Sequence, residues 1–221
     1  MPATRQTIAH GDLFRVRATQ IPGGTIELDL DELRRRLRQR RAAAFSVYGD
    51  DGARREEAAA TAAAVLVPIV AHPAQLTVLF TQRTSQLRSH SGQVSFPGGR
   101  AEPEDASPEF TALREAEEEI GLPAGRVEIV ARLPDYLTRT GFRVTPVVGL
   151  LTPPLELAPD RREVEEVFEV PLAFLLDARN HLRETRELGG ETVGYYVMQY
   201  RERRIWGATA GMLVNLYRML A

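Results

Sequence analysis

Apolar positions change their spacing several times along the chain, and each change predicts a different element. Residues 64–70 form an unbroken apolar run, 76–81 form a second, and His72-Pro73 stands between them. Short apolar runs separated by turn residues predict a β-hairpin. Further strands are predicted over 126–133, 142–151, 165–170, 191–193 and 195–200. Helical spacing is found over 108–120, over 172–176 continuing toward 179, and over 208–220. Strands and helices interleave, with several strands close neighbours in sequence. That order predicts an α/β fold with a mixed sheet covered by helices rather than a purely parallel one.

The segment before about residue 57 has a different character and is expected to form an N-terminal appendage, 1–57, ahead of a main domain, 58–221. Asp29 or Asp31 can cap a helix that places Leu30, Leu33 and Leu37 on one side and runs to about residue 44. Arg34, Arg35, Arg36, Arg38, Arg40 and Arg41 cover its remaining faces. A solvated helix face is the plain reading, and a patch meeting substrate phosphates is the sharper one. The Gly-Asp-Asp-Gly stretch at 49–52 signals a loop at the boundary. The last helix carries Leu213, Leu216, Tyr217 and Leu220, which are expected to pack on the core, with a homodimer contact as the alternative. No internal repeat is present, and the Ala-rich stretch at 58–64 is the one biased tract.

Composition narrows the chemistry. At 221 residues, 43% hydrophobic and 26% charged, the chain resembles an average globular protein. The absence of cysteine excludes thiolate metal sites, disulfides and a cysteine nucleophile, so any metal must be held by oxygen or imidazole. A net charge of −2 argues against broad binding to nucleic acid, which leaves phosphate recognition to local groups. All 28 basic residues are arginine, a whole-chain habit rather than a site feature. Residues 1–30 show no basic start followed by an apolar run, and the longest apolar stretch, 58–71, is interrupted by Thr61 and Pro68. A cytoplasmic protein with no membrane partner is expected.

The segment richest in chemistry is Phe96-Pro97-Gly98-Gly99-Arg100, then an acidic loop, then the run from Leu113 to Leu122. Ser107 can cap a helix there, Pro108 can occupy its first position and Gly121 can stop it. At about 100° per residue, Glu115, Glu118 and Glu119 fall on one side, and Phe110, Leu113, Ala116 and Ile120 on the other. Three ionised carboxylates on one face repel one another, and a hard divalent cation removes that cost. Oxygen-only ligation of this kind suits Mg²⁺ or Mn²⁺ bridging to substrate phosphates. Arg114 can orient a carboxylate, whereas Glu117 projects toward the apolar edge. The plain alternative is a solvated acidic helix.

From Arg114 to Leu122 the sequence resembles the Nudix hydrolase box: Arg-Glu, an apolar residue, any residue, Glu-Glu, any residue, Gly, an apolar residue. The front half of the box is shifted. Its first Gly and isolated Glu should lie at 100 and 106, which hold Arg100 and Ala106, so Gly98-Gly99 and Glu104-Asp105 are the nearest candidates across a loop with about one extra residue. Upstream, Leu79-Phe80-Thr81-Gln82-Arg83-Thr84, Arg88, Gly92 and Phe96-Pro97-Gly98-Gly99 resemble the additional motif of the coenzyme A pyrophosphatase branch, in which an enlarged loop is familiar.

The resemblance implies an α/β/α sandwich around a mixed sheet and Mg²⁺- or Mn²⁺-dependent hydrolysis of a pyrophosphate in a small-molecule substrate. For coenzyme A or its acyl derivatives the products are 4'-phosphopantetheine, or its acyl form, and adenosine 3',5'-bisphosphate. It assigns Glu115, Glu118 and Glu119 as metal ligands with Arg114 orienting them, and Arg83, Arg88, Phe96, Gly98 and Gly99 to the substrate. His90 is a further candidate phosphate contact. The loop from Thr138 to Phe142 and the carboxylates Glu163, Glu165 and Glu166 are candidates to close the site, one of them as base or further ligand. Alternatives are a Nudix enzyme acting on ADP-ribose, a dinucleotide or a sugar nucleotide, and a non-catalytic binding module. The complete glutamate set weighs against the last.

Overall fold

In the computed structural model, residues 24–26, 28–39, 49, 60–85, 92–188 and 190–221 are described. Helix α1 (Leu30–Gln39) is followed by β1 (Thr61–Ala71), β2 (Leu76–Arg83), β3 (Val94–Ser95) and β4 (Gly98–Arg100). Helix α2 (Pro108–Ile120) leads to β5 (Val127–Arg132), β6 (Tyr136–Leu137), β7 (Phe142–Leu151) and β8 (Val164–Pro171). The chain closes with α3 (Leu172–Leu175), β9 (Leu182–Leu188), β10 (Glu191–Tyr200), β11 (Arg203–Trp206) and α4 (Gly207–Leu220).

The spine of the main sheet is β1 and β7, parallel from Thr61 opposite Phe142 to Val70 opposite Leu151. The path β3-β2-β1-β7-β5 is extended by β4 on β1, β6 on β7 and β8 on β2, and these pairings are antiparallel. A mixed sheet results. Strands β9, β10 and β11 form a separate antiparallel sheet.

The period of two along a strand explains why β1 is apolar throughout. Ala64, Leu66 and Val70 face one side and join Ala112, Ala116 and Ile120 of α2 in one core. Val67 and Ile69 face the other and join Leu33 and Leu37 of α1 and Leu213, Leu216 and Leu220 of α4. Each leucine, isoleucine or valine withdrawn from water contributes about 1.5–3 kcal/mol, so both faces of the sheet must be covered. Helices on the two faces complete an α/β/α arrangement, and β4 and α2 lie together on β1, where the candidate chemistry sits.

The hairpin, the strand over 142–151 and the helix over 108–120 form where the sequence pattern predicts them. The expected strands 191–193 and 195–200 are one strand, with Gly194 buried inside it. Gly98 and Gly99, which local pattern does not mark as a strand, form β4 opposite Val65 and Ala64. Helix α4 packs inward, with Leu213, Leu216, Tyr217 and Leu220 all buried in the core. Helix α1 is capped by Asp29, whose Oδ1 accepts from the Glu32 N–H at 2.8 Å. Its arginines are engaged: Arg34 and Arg38 pair with Glu128, and Arg36 donates to the Leu220 carbonyl. The expected boundary near 57, the extension of the helix to 44, and Asp50 to Gly52 lie outside the described residues; Gly49 bridges to Leu137.

Candidate active site

The punctuation of α2 sets the register of its carboxylates. Ser107 accepts from the Phe110 N–H, Pro108 opens the first turn, and Gly121 closes the helix at φ 65°, a left-handed conformation open to glycine. The buried stripe is Thr111, Ala112, Ala116, Glu119 and Ile120. Small residues there let the helix approach β1. The stripe is rotated from the expected grouping: Phe110, placed on the side of Ala116 and Ile120, is 53% exposed, and Glu119, placed on the opposite side with Glu115 and Glu118, is 6% exposed.

Glu119 therefore ends in a low-dielectric wall with one oxygen, Oε2, buried and unpartnered among the described residues. Burial pushes its carboxyl up to about 8, against the Arg83 guanidinium 3.6 Å away and the Gly98 N–H, which both favour ionisation; Glu115 and Glu163 add repulsion. Glu115 is also raised, chiefly by burial, with Arg114 opposing and Glu118 and Glu163 reinforcing. Each carboxyl faces an arginine, Glu115 facing Arg114 and Glu119 facing Arg83, and in each burial outweighs that attraction. The Gly-Gly pair makes this packing possible. A Cβ on Gly99 would lie 2.5 Å from the Glu115 carboxylate, and one on Gly98 would lie 2.4 Å from the Ala64 carbonyl oxygen.

Arg114 is the clamp of the site. Its Nε and Nη2 donate to the two oxygens of Asp105 at 3.1 and 3.0 Å, Nη2 also to the Arg100 carbonyl at 3.1 Å, and Nη1 to Glu115 at 3.0 Å and Glu118 at 3.2 Å. Asp105 is held well below the usual carboxylate range, first by this fork, with help from the Glu102 N–H and the Thr111 hydroxyl. Asp105 carries a role that was not assigned from the sequence. Its signal was an acid beside the position where the box expects one.

The remaining candidates separate. Glu118 is exposed and turned to Arg114. Phe96 is buried and stacked on Phe80 at 5.1 Å, so its ring belongs to the core as well as to the site. Glu163 lies within electrostatic reach of Glu115 and Glu119, and its backbone carbonyl accepts from the Thr84 N–H at 2.9 Å. Glu166 pairs with Arg203, the Glu165 backbone carbonyl accepts from Arg161 at 3.0 Å, and both glutamates line a second cavity with Arg161. Arg88 and His90 lie outside the described residues. Thr138, Arg139, Thr140 and Phe142 line a cavity of about 520 Å³ that also touches Arg83, Gly98 and Gly99. Its wall at Trp206 and Met212 was not anticipated, because nothing local in the sequence marks residues that only the fold brings together.

Among the described residues no three carboxylate or imidazole groups are gathered into a preformed metal cage. The fit to a hard cation rests on a pair, Glu115 and Glu119, with the unsatisfied Glu119 oxygen between helix and β4. Mg²⁺ keeps several waters and takes few protein carboxylates, so such a pair suits it.

The fold is an α/β/α sandwich in which Arg114 holds Glu115 and Glu118 on α2 while Gly98 and Gly99 of β4 pack against Glu119 and Glu115. The chain belongs to the Nudix hydrolase family: a NUDIX domain matches residues 60–188, more than half of its length. It is 44% identical over 154 residues to the uncharacterized Nudix hydrolase NudL of Photorhabdus laumondii, covering 69% of this chain and 81% of that one. NudL of Escherichia coli K12 is 43% identical over 156 residues, covering 69% and 79%. A Nudix hydrolase of M. smegmatis, RenU, is 26% identical with a TM-score of 0.44, covering 51% of this chain and 71% of that one. Nudix hydrolases generally need divalent ions such as Mg²⁺ or Mn²⁺. No helix among the described residues is long and apolar enough to cross a membrane.

Proposed function

We propose that this Nudix hydrolase cleaves the pyrophosphate of coenzyme A or its acyl derivatives, giving 4'-phosphopantetheine, or its acyl form, and adenosine 3',5'-bisphosphate. The observation that carries the reading is the meeting of two motifs. Arg83, from the segment resembling the coenzyme A branch, lies 3.6 Å from Glu119 of the box, and Gly98-Gly99 packs on Glu119 and Glu115. Glu115 and Glu119 would hold Mg²⁺ or Mn²⁺, with Glu118 at the exposed edge. A bound ion supplies neutralisation of the diphosphate and a more acidic water.

The chain's own groups do the rest. Arg114, locked by Asp105, fixes the rotamer of Glu115 and holds Glu118 beside it. Arg83 presents a guanidinium fork to a phosphate once a cation takes over the charge of Glu119. Glu163, exposed at the same end and unpaired with the arginine that occupies Glu166, is the proposed acceptor of the water's proton. The test is a competition among coenzyme A, ADP-ribose, a dinucleotide and a sugar nucleotide at equal concentration with Mg²⁺ or Mn²⁺. Preferential loss of coenzyme A supports the reading, and preferential loss of another diphosphate replaces it.

A further inference from the structure

The 520 Å³ cavity opens beside the carboxylates, and Arg83, Gly98 and Gly99 belong to both. Its charged lining is of one sign. Among the described residues Arg83, Arg100 and Arg139 line it and no carboxylate does, in a chain with 30 acidic residues against 28 basic. Unbalanced guanidinium groups around a concavity raise its potential and draw anions into it.

The three arginines stand at different places. Arg83 faces Glu119 at 3.6 Å and belongs to the diphosphate end. Successive side chains of a strand point to opposite faces. A Cβ on Gly99 would meet Glu115, whereas the next residue, Arg100, turns the other way and sets its guanidinium carbon 5.8 Å from the centre of the Phe142 ring. Arg139 follows β6 on a loop fastened by its own hydrogen bonds, from the Thr138 N–H to the Phe142 carbonyl at 2.9 Å and from the Gly141 N–H to the Thr138 carbonyl at 3.1 Å. Its Nη2 lies 3.9 Å from the exposed Glu191 carboxylate, beyond a direct hydrogen bond. A diphosphate held at Glu115, Glu119 and Arg83 therefore leaves Arg100 and Arg139 for a different group. A neutral substituent would take water from two guanidinium groups and return no opposite charge. A phosphomonoester returns that charge and accepts from such forks. On the coenzyme A reading of the preceding section, we propose that Arg100 and Arg139 bind a second anionic group of the substrate, a phosphomonoester separate from the diphosphate, which in coenzyme A is the 3'-phosphate.

Coenzyme A and 3'-dephospho-coenzyme A differ by that group alone. With Mg²⁺ present, Arg100→Gln and Arg139→Gln are each expected to lower kcat/KM for coenzyme A by about tenfold or more, the scale of one charge-assisted hydrogen bond, and to lower it much less for 3'-dephospho-coenzyme A. Arg100→Lys keeps the charge without the fork and should recover part of the loss. The Arg100 main-chain carbonyl, an acceptor for Arg114, is retained in both Arg100 variants. Calorimetry supplies a readout apart from turnover: adenosine 3',5'-bisphosphate should lose more affinity than adenosine 5'-monophosphate on the same substitutions. Equal losses on the two substrates, or no loss on either, overturn the inference. Cleavage of coenzyme A by the unsubstituted protein with that pattern removes the subsite alone. Cleavage of ADP-ribose with neither coenzyme A nor its dephospho form cleaved removes the function on which the subsite rests, and the subsite with it.

Discussion

Replacing Glu119 by Gln should stabilise the metal-free protein and disable the enzyme. The fold raises this carboxyl from 4.5 to about 8, chiefly by burial, so between those values the folded chain keeps a proton that the unfolded chain releases. The contribution is fully present below about pH 4.5 and is lost as pH rises to about 8. Each unit is about 1.4 kcal/mol. Ionisation thus withdraws on the order of 3 kcal/mol by pH 7 from the metal-free fold. Glutamine keeps the shape and removes the titration, but its amide NH₂ lacks the partner that Oε2 already lacks, which returns about 1–3 kcal/mol. By pH 8 the withdrawal is on the order of 4 kcal/mol, so the net gain in a chelator is about 1–3 kcal/mol, or roughly 2–12 °C in Tm for a chain of this size. At pH 5 the gain should vanish or reverse. Added Mg²⁺ should raise the wild-type Tm at pH 8 and the variant's much less, because the ion stabilises only a fold that binds it. Equal Tm losses at pH 5 and pH 8, with undiminished stabilisation by Mg²⁺, would refute both the burial argument and the ligand role.

Three further outcomes are expected. Gly99→Ala drives a Cβ into the Glu115 carboxylate, the movable end of a side chain, so kcat/KM should fall about tenfold or more while Tm changes little. Asp105→Asn removes the anionic half of the Arg114 fork and should cost about 1.5–3 kcal/mol by denaturant titration at pH 7, a loss that shrinks as pH falls below the ordinary carboxylate value, where the unfolded chain takes up the proton while the folded Asp105 stays ionised. Leu33→Ala should cost about 2–5 kcal/mol, because Leu33 is fully buried in the core beneath α4; a chain starting near residue 56 should be destabilised too, yet turn over substrate at temperatures where it is folded, since the catalytic groups follow residue 79.

The parts of the fold legible in the sequence were those with strong local punctuation. Ser107-Pro108 and Gly121 bracket α2, and the apolar run of β1 needs no partner to be read as a strand. Strand β9 was not legible, because its sequence, LRETREL, is polar and its pairing to β10 is decided by a distant partner. At the site, residue types and spacing located the carboxylates on one helix. They did not reveal that Glu119 would be buried, because a helical wheel orders residues around an axis without saying where the sheet lies. Asp105 was close to legible, one residue from its expected place. The cavity was not, since Val65, Phe142 and Trp206 are apolar residues from separate strands with no shared pattern.

The most direct test of the central claim is the mass of the products when the purified protein is given coenzyme A with Mg²⁺, against the same mixture with a chelator. 4'-Phosphopantetheine and adenosine 3',5'-bisphosphate are expected in equal amounts, formed only with the metal. Intact coenzyme A beside a folded, Mg²⁺-loaded protein, or cleavage at any bond other than the pyrophosphate, would contradict it.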